Sequence, residues 1–518
     1  EAIMARPRIL PNARLVRALK ALADLTSSNQ FVVRGRELKS TDRRLLQDSG
    51  YLREILKGWY FVSNPAASSG DTTLFFANFW EYLGYYLSDR FGDSYCLNPE
   101  GSLLRHAQYN IVPKQLIVMA NVTQKVDLAF DHSIMIYSAS DGLPVGDNVA
   151  DIGGVRCMSI SMALAKLPPR AYSDIPEEIQ IGLSMLRDVD EVVSKYLINA
   201  AGVSRIVGGM RAIGRAEFAI EVESILEAQG RALLKTDNPF NESVHVFGER
   251  SLSPVYARVK AMWSKHAPQV RIHAPAALTS TMAPQTYYSH IESLKVEDAY
   301  HSLSIERYRV TPELIRKVAE GQWMPNDDPA DKQQLNAMAA KGYLEAFTVV
   351  RDDAVDAFTK REQGNFNAGQ TFKTRHRIWF AKLFSSSVEA GILPADALAG
   401  YRRHMVFLQG SSHAPPHYDY VSDGMTALVE CLIEEPCAFT RAVLGHWLFG
   451  FVHPYMDGNG RIARFTMNVM LASGGYPWTI IYVEDRDRYM AALEEASVNG
   501  DIQPFLDFIV DSVIRSQN

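Results

Sequence analysis

The stretch from His453 to Arg464 reads HPYMDGNGRIAR. It joins two helical patterns. FTRAVLGHWLFGFV (439–452) upstream is an apolar run of helical length, and RIARFTMNVMLAS (461–473) downstream reads as a second helix before GYPWT (475–479). The glycines at 458 and 460 break the first pattern. The prediction is a helix–loop–helix turn whose loop amides point at the start of the second helix. Unpaired N–H groups at the positive end of a helix dipole form an anion nest. Glycine lets a phosphate approach that backbone closely. Arg461 and Arg464, at i and i+3, reach one side of it with guanidinium forks suited to phosphate oxygens. Asp457 is a hard oxygen ligand suited to Mg²⁺, the usual companion of a polyphosphate. His453, with an ordinary pKa near neutrality, suits a general base beside them. Together these residues predict phosphoryl or nucleotidyl transfer to a hydroxyl.

Other readings of the stretch fail on particular positions. In a calcium loop beginning at Asp457, Ile462 stands where the turn glycine belongs and Asn468 where the bidentate glutamate belongs. No GK[ST] follows, so this is not a P-loop. A merely structural histidine would leave the acid and both arginines unexplained.

Around the motif lie 518 residues, enough for roughly two to four domains. A hydrophobic content of 47% with 22% charged residues is that of a globular chain. The net charge of −6 is uneven: residues 1–60 hold twelve Lys/Arg against six Asp/Glu, so a basic start precedes an acidic body. That asymmetry fits an anionic contact such as nucleic acid, or simply a solvated basic face. Cys96, Cys157, Cys431 and Cys437 form no CxxC pair and have no histidine cluster beside them, so neither a disulfide framework nor a zinc site is indicated. EAIMARPRILPNARLVRAL lacks the apolar centre of a signal peptide, and no apolar run approaches the roughly 20 residues of a membrane helix. The expectation is a cytoplasmic protein with no membrane partner.

Along the chain, Leu15, Leu19 and Leu22 recur at helical spacing. A second helix follows, capped by Ser40 or Thr41, then Gly50, a short strand, a Lys57-Gly58 turn and a strand ending before Pro65. Helices followed by a β-hairpin are the outline of a winged helix over 1–65. Residues 66–172 read as mixed α/β, with strands in PKQLIVMANV, VDLAF and SIMIYSA and turns at Asp141-Gly142 and Gly153-Gly154. Residues 173–285 read as helices plus linker, with connectors at 238–243 and 273–285, and 286–518 as mainly helical. The fold class expected is multidomain α+β.

Two resemblances sharpen this. LLQDSGYLREILKGWYF resembles the winged-helix modules of abortive-infection-type antitoxin regulators, which would put Arg36, Arg43 and Arg44 on or near a DNA-recognition helix. FWEYLGYYLSDRFGDSYCLNPEGSLLRHAQ resembles the second part of the same regulators. The motif itself resembles the Fic family signature, HPFx[D/E]GNGRxxR, departing only by Tyr455 at a packing position, and the likeness extends over about 286–518. YRRHMVFLQGSSHAPPHYDYV (401–421) resembles that family's β-hairpin flap, which holds the target by strand pairing, and 485–509 resembles its closing helices.

The Fic resemblance implies transfer of AMP from ATP to a Ser, Thr or Tyr hydroxyl of a protein. His453 would deprotonate the acceptor and Asp457 would hold Mg²⁺. Gly458, Asn459, Gly460 and their amides would grip the α-phosphate, with Arg461 and Arg464 on the β- and γ-phosphates. Tyr489 would border the adenine. Gly460 favours AMP transfer, because family members that phosphorylate carry Lys there. The resemblance also implies a brake. An inhibitory helix near 292–307, with Ser302 and Glu306 in the [S/T]xxxE[G/N] pattern, would pair Glu306 with Arg464; Arg307 departs from Gly or Asn. Thr311 and Pro312 begin the next helix, and His446 is read as packing. The partners expected are ATP, a target protein on the flap, and duplex DNA through 1–65. A homo-oligomer is compatible with this, and the oligomeric state is left open. Two alternatives also stay open: a DNA-binding regulator using the Fic domain as a nucleotide sensor, and an enzyme that removes AMP.

Overall fold

The computed structural model describes residues 11–26, 31–63, 73–139, 142–234, 237–241, 244–322, 331–389, 393 and 400–517. They form two compact units. The first is Glu1–Ser251 with Val406–Ala414, and the second is Leu252–Met405 with Pro415–Asn518.

The first unit begins with α1 (Pro11–Leu25), β1 (Val32–Arg34), α2 (Ser40–Asp48) and a hairpin of β2 (Leu52–Leu56) and β3 (Trp59–Val62). The three strands are antiparallel in the order β1-β3-β2. Alternating faces explain the packing: Val33 and Tyr60 join Ala18, Leu22 and Leu46 in one small core, whereas Val32, Trp59 and Phe61 join the aromatic residues of α3 (Thr73–Phe91) in another. The helix at 40 is not capped as expected. Its N-cap is Lys39, with no side-chain bond, and Ser40 is already helical. Of the three candidate arginines, Arg43 is committed to the fold, donating to the Gly35 carbonyl at 2.9 Å with its guanidinium over Tyr60. Arg36 pairs with Asp89. Arg44 faces solvent, its side chain 87% exposed and 4.0 Å from Asp48.

Beyond α3 come β4 (Cys96–Leu97), α4 (Pro99–His106), β5 (Gln115–Ala120), β6 (Gln124–Asp127) and β7 (Ser133–Ser138). They make a mixed sheet in the order β4-β5-β7-β6, with β5 and β7 parallel. The strand expected at VDLAF sits earlier, because Phe130 and Asp131 turn with positive φ. A hairpin of β8 (Val149–Ile152) and β9 (Val155–Met158) closes round the expected Gly153-Gly154 turn. The other turn involves Asp141, outside the described residues. Among the described residues six helices complete the unit: α5 (Ile160–Lys166), α6 (Ala171–Asp174), α7 (Pro176–Met185), α8 (Val189–Val193), α9 (Ala200–Ala212) and α10 (Ala216–Ala228).

The second unit is helical: α11 (Pro254–Ile272), α12 (Pro284–Ile305), α13 (Pro312–Ala319), α14 (Asp331–Lys360), α15 (Ala368–Glu389), α16 (Val421–Glu434), α17 (Ala438–Val452), α18 (Asn459–Ala472), α19 (Arg486–Glu494) and α20 (Gln503–Gln517). The unit begins at Leu252, and Val255, Val259, Trp263, Ala267 and Val270 bury one side of α11 in the same core as α17 and α18. One expectation is corrected here, since the flap is not a β-hairpin: the described residues 400–417 contain no strand, and a short 3₁₀ turn spans Tyr418–Tyr420. α17 is apolar on every side and buried almost throughout, as a helix at the centre of a bundle must be. Among the described residues no helix is long and apolar enough to cross a membrane.

Candidate active site

α17 ends at His453, which takes the left-handed conformation with φ 50°. A non-glycine residue adopts this only where its surroundings hold it there. The loop then folds back on itself. Asn459 is 2% exposed; its Oδ1 accepts from the Tyr455 amide at 2.9 Å and its Nδ2 donates to the Tyr455 carbonyl at 2.8 Å. The Asn459 side chain, expected to grip phosphate, makes both of these bonds to its own loop. Tyr455 stacks on Phe380 with centroids 3.8 Å apart, which is the packing role expected for that position. Gly458 has φ 82°, and a Cβ there would lie 2.8 Å from the Phe384 ring. The first α18 bond runs from Ile462 N to Gly458 O, leaving the amides of Asn459, Gly460 and Arg461 ahead of it.

His453 Nδ1 lies 3.3 Å from the Gly450 carbonyl. A proton on Nδ1 would donate there and leave the Nε2 lone pair available. Burial, assisted by the nearby Arg402 cation, lowers the imidazole pKa to about 4 against the weaker opposing pull of the Gly450 carbonyl and Asp457. The ring is therefore a neutral acceptor at pH 7.

Both motif arginines are buried. Arg461 lies between the rings of Tyr308 and Phe384, 5.2 and 5.1 Å from their centroids, and its Nη2 donates to Asp457 Oδ2 at 3.1 Å. Arg464 donates through Nε to Ser302 Oγ at 2.9 Å, and through Nη2 to the Ser302 carbonyl at 3.1 Å and to Glu306 Oε1 at 2.9 Å. Arg461 Nε and Arg464 Nη1 are buried without an acceptor. Such orphaned donors are costly unless a ligand meets them. Asp457 is 62% exposed at its side chain and is shared between the Gly458 amide and Arg461. No cluster of three or more His, Cys, Asp or Glu that could hold a metal occurs among the described residues, so any cation here would need oxygens from elsewhere.

The pair expected between Glu306 and Arg464 is present. Glu306 caps the C-terminus of α12, and Arg307 adopts φ 65° just beyond it. The turn sends Arg307 outward and leaves Glu306 against α18. A Cβ at Gly460 would meet Glu306 Oε1 at 2.2 Å, so only glycine admits the carboxylate there. The chain thus sets its own anion at the positive end of α18. Thr311 caps α13 as expected, accepting from Leu314 N at 3.2 Å.

Tyr489 does not line an open cleft. It is 2% exposed, and its hydroxyl meets His446 Nε2 at 2.7 Å. His446 packs as expected, held neutral with a pKa of about 3 by burial and by Arg464. Sequence reasoning missed Tyr308, Arg402 and Asp298. Asp298 accepts from Tyr343 at 2.7 Å and Trp478 at 3.2 Å, and burial pushes it up to about 6. None of the three carries a local signal; each is defined by what folds against it.

These histidines set an acid limit on stability. His376 and His453 at about 4, and His446 at about 3, stay neutral while the unfolded chain takes up protons below about 6.5. Asp298 opposes them with a single proton. The melting temperature is expected to fall as pH drops from about 6.5 towards 4. A midpoint constant over that range would contradict these shifts.

Residues 369–471, from the start of α15 to the end of α18, match the Fic/DOC family, so His453–Arg464 lie inside the matched stretch and Ser302 and Glu306 outside it. The chain is 37% identical over 122 residues to a protein adenylyltransferase Fic of Nematostella vectensis, covering 22% of this chain and 27% of that one. It is 27% identical over 253 residues to the Culex quinquefasciatus protein of the same name, covering 47% and 44%. The chain thus spans less than half the length of these relatives. Among solved structures, a Fic-1 fragment from C. elegans aligns at 17% identity with a TM-score of 0.34, covering 69% of this chain and 89% of that one.

Proposed function

We propose that the chain is a protein adenylyltransferase that moves AMP from ATP to a hydroxyl side chain of a target protein, and that Glu306 restrains it. One observation carries the reading: a neutral imidazole stands in the same turn as an N-terminal helix nest backed by two buried arginines with orphaned N–H groups. That combination suits a base acting on a hydroxyl while a polyphosphate is held beside it. The names of the relatives point the same way.

His453 Nε2 takes the acceptor proton. The amides at the start of α18 and the two guanidiniums hold the phosphates. Asp457 would hold Mg²⁺ together with phosphate oxygens, since one carboxylate plus phosphates is a usual arrangement for that ion. When bound, the ion would neutralise charge on the phosphates. The target segment lies along residues 401–421. With ATP labelled at the α-phosphate, label is expected on protein only when Mg²⁺ is present. Asp457→Ala should abolish this dependence together with most of the transfer; undiminished transfer in EDTA would refute the metal assignment.

The basic start of the chain is proposed to bind duplex DNA through α2, with Arg44 as the guanidinium facing solvent. Binding should be weak and steeply salt-dependent, and Arg44→Glu should lower the salt slope by about one. Failure of the full chain to shift any duplex at low salt would dismiss this role and favour a protein contact.

A further inference from the structure

We propose that Arg402 is a positioning residue for the base, capping the C-terminal end of α17 and so fixing the turn that aims His453 at the acceptor hydroxyl. This rests on the reading of His453 as that base.

The last carbonyls of a helix have no partner within it. Arg402, 3% exposed, supplies donors at that end of α17. Its Nε donates to the His453 carbonyl at 2.8 Å and its Nη2 to the Val452 carbonyl at 3.4 Å. The same guanidinium reaches the Pro416 carbonyl at 2.5 Å and the His404 carbonyl at 3.1 Å, and the Arg402 amide donates to the Pro454 carbonyl at 2.8 Å. Burial alone pulls its pKa down, to about 10, with no carboxylate among the causes. A guanidinium buried without a counter-ion is a costly arrangement. Here the compensation is carbonyl dipoles at the negative end of a helix. The residue whose carbonyl takes the shortest of the two α17 bonds is also the one in the left-handed conformation.

Arg402 also acts through its charge. Two charged side chains face the imidazole: Arg402 from the segment before residue 406, which opposes protonation, and Asp457 from the motif loop, which favours it. The geometry therefore holds the ring in one orientation while burial, with the cation adding to it, keeps it neutral.

The test follows the His453 ring C–H signals by NMR against pH in the full chain, for wild type, Arg402→Gln and Arg402→Lys, with circular dichroism to establish folding. In the wild type His453 should titrate near 4. In Arg402→Gln it should move up while burial still holds it below about 6.5, and in Arg402→Lys, which keeps the charge, it should stay low. The turnover rate for AMP transfer should fall roughly 10- to 100-fold in Arg402→Gln, because a small misplacement of a reacting group is enough for that loss. The KM for ATP should change little. A folded Arg402→Gln with wild-type titration and rate would overturn the proposal, as would a wild-type His453 titrating near about 6.5. If Arg402→Gln does not fold, Arg402→Lys decides: a low titration with a reduced turnover rate supports the proposal, and a wild-type rate overturns it. A depressed titration in a chain that transfers no AMP would instead strike at the proposed function.

Discussion

The His453→Ala chain is expected to transfer AMP about 10²–10⁴-fold more slowly than wild type while binding ATP with similar affinity. The imidazole is a neutral acceptor, and none of its bonds contributes to the nest. The amides of Asn459, Gly460 and Arg461 and the two guanidiniums stay where they are, so the phosphates keep their donors. Alanine meets one difficulty at this position. The backbone has φ 50°, a region that costs a residue with a Cβ roughly 1–2 kcal/mol. His453→Asn is the cleaner partner, since asparagine tolerates that conformation. Both should lose transfer and retain nucleotide. An Asn variant with wild-type turnover would remove the base from the account.

The second large effect runs upward. Glu306→Gly should raise AMP transfer roughly five- to thirtyfold and tighten ATP binding. A hydrogen bond to a charged group is worth about 1.5–3 kcal/mol, and the partial exposure of Glu306 reduces that to about 1–2 kcal/mol. Its carboxylate lies 2.9 Å from Arg464 and fills the space over Gly460, so it occupies the ground a phosphate would need. One guanidinium cannot serve both anions in a single geometry, and a phosphate turned aside is no longer in line with an acceptor. Ser302 would continue to hold Arg464 Nε in the variant, leaving the arginine in place for ATP. Equal initial rates for wild type and Glu306→Gly would mean that Glu306 exerts no control.

What could be read from the sequence follows the range of each signal. The helix–loop–helix turn was legible because its parts lie within twelve residues at fixed spacing, and the structure assembles His453, Asp457, Gly458, Gly460, Arg461 and Arg464 there. The Glu306–Arg464 pair spans 158 positions and was reached only through the likeness of HSLSIERYRV to an inhibitory helix. The bonds from Asn459 to Tyr455 are not legible, because a side chain that closes its own loop looks, in sequence, like one that faces a ligand. The flap failed for a different reason. Its backbone and Arg402 bond to carbonyls at 404, 416 and 452–454 instead of pairing strand to strand, and no alternation in YRRHMVFL reports that. The packing of α11 with α17 and α18 is not legible either, because an amphipathic helix does not announce which core its apolar side joins.

The central claim is that His453 and the α18 nest transfer AMP from ATP under restraint by Glu306. It is tested most directly with three chains: wild type, Glu306→Gly, and Glu306→Gly combined with His453→Asn. Each is incubated with Mg²⁺ and ATP labelled at either the α- or the γ-phosphate, and protein-bound label is followed over time. The account predicts α-label on protein, strongest with Glu306→Gly, weak with wild type and absent from the double variant, and no γ-label in any chain. Protein-bound γ-label, or α-label that persists undiminished without the histidine, would contradict it.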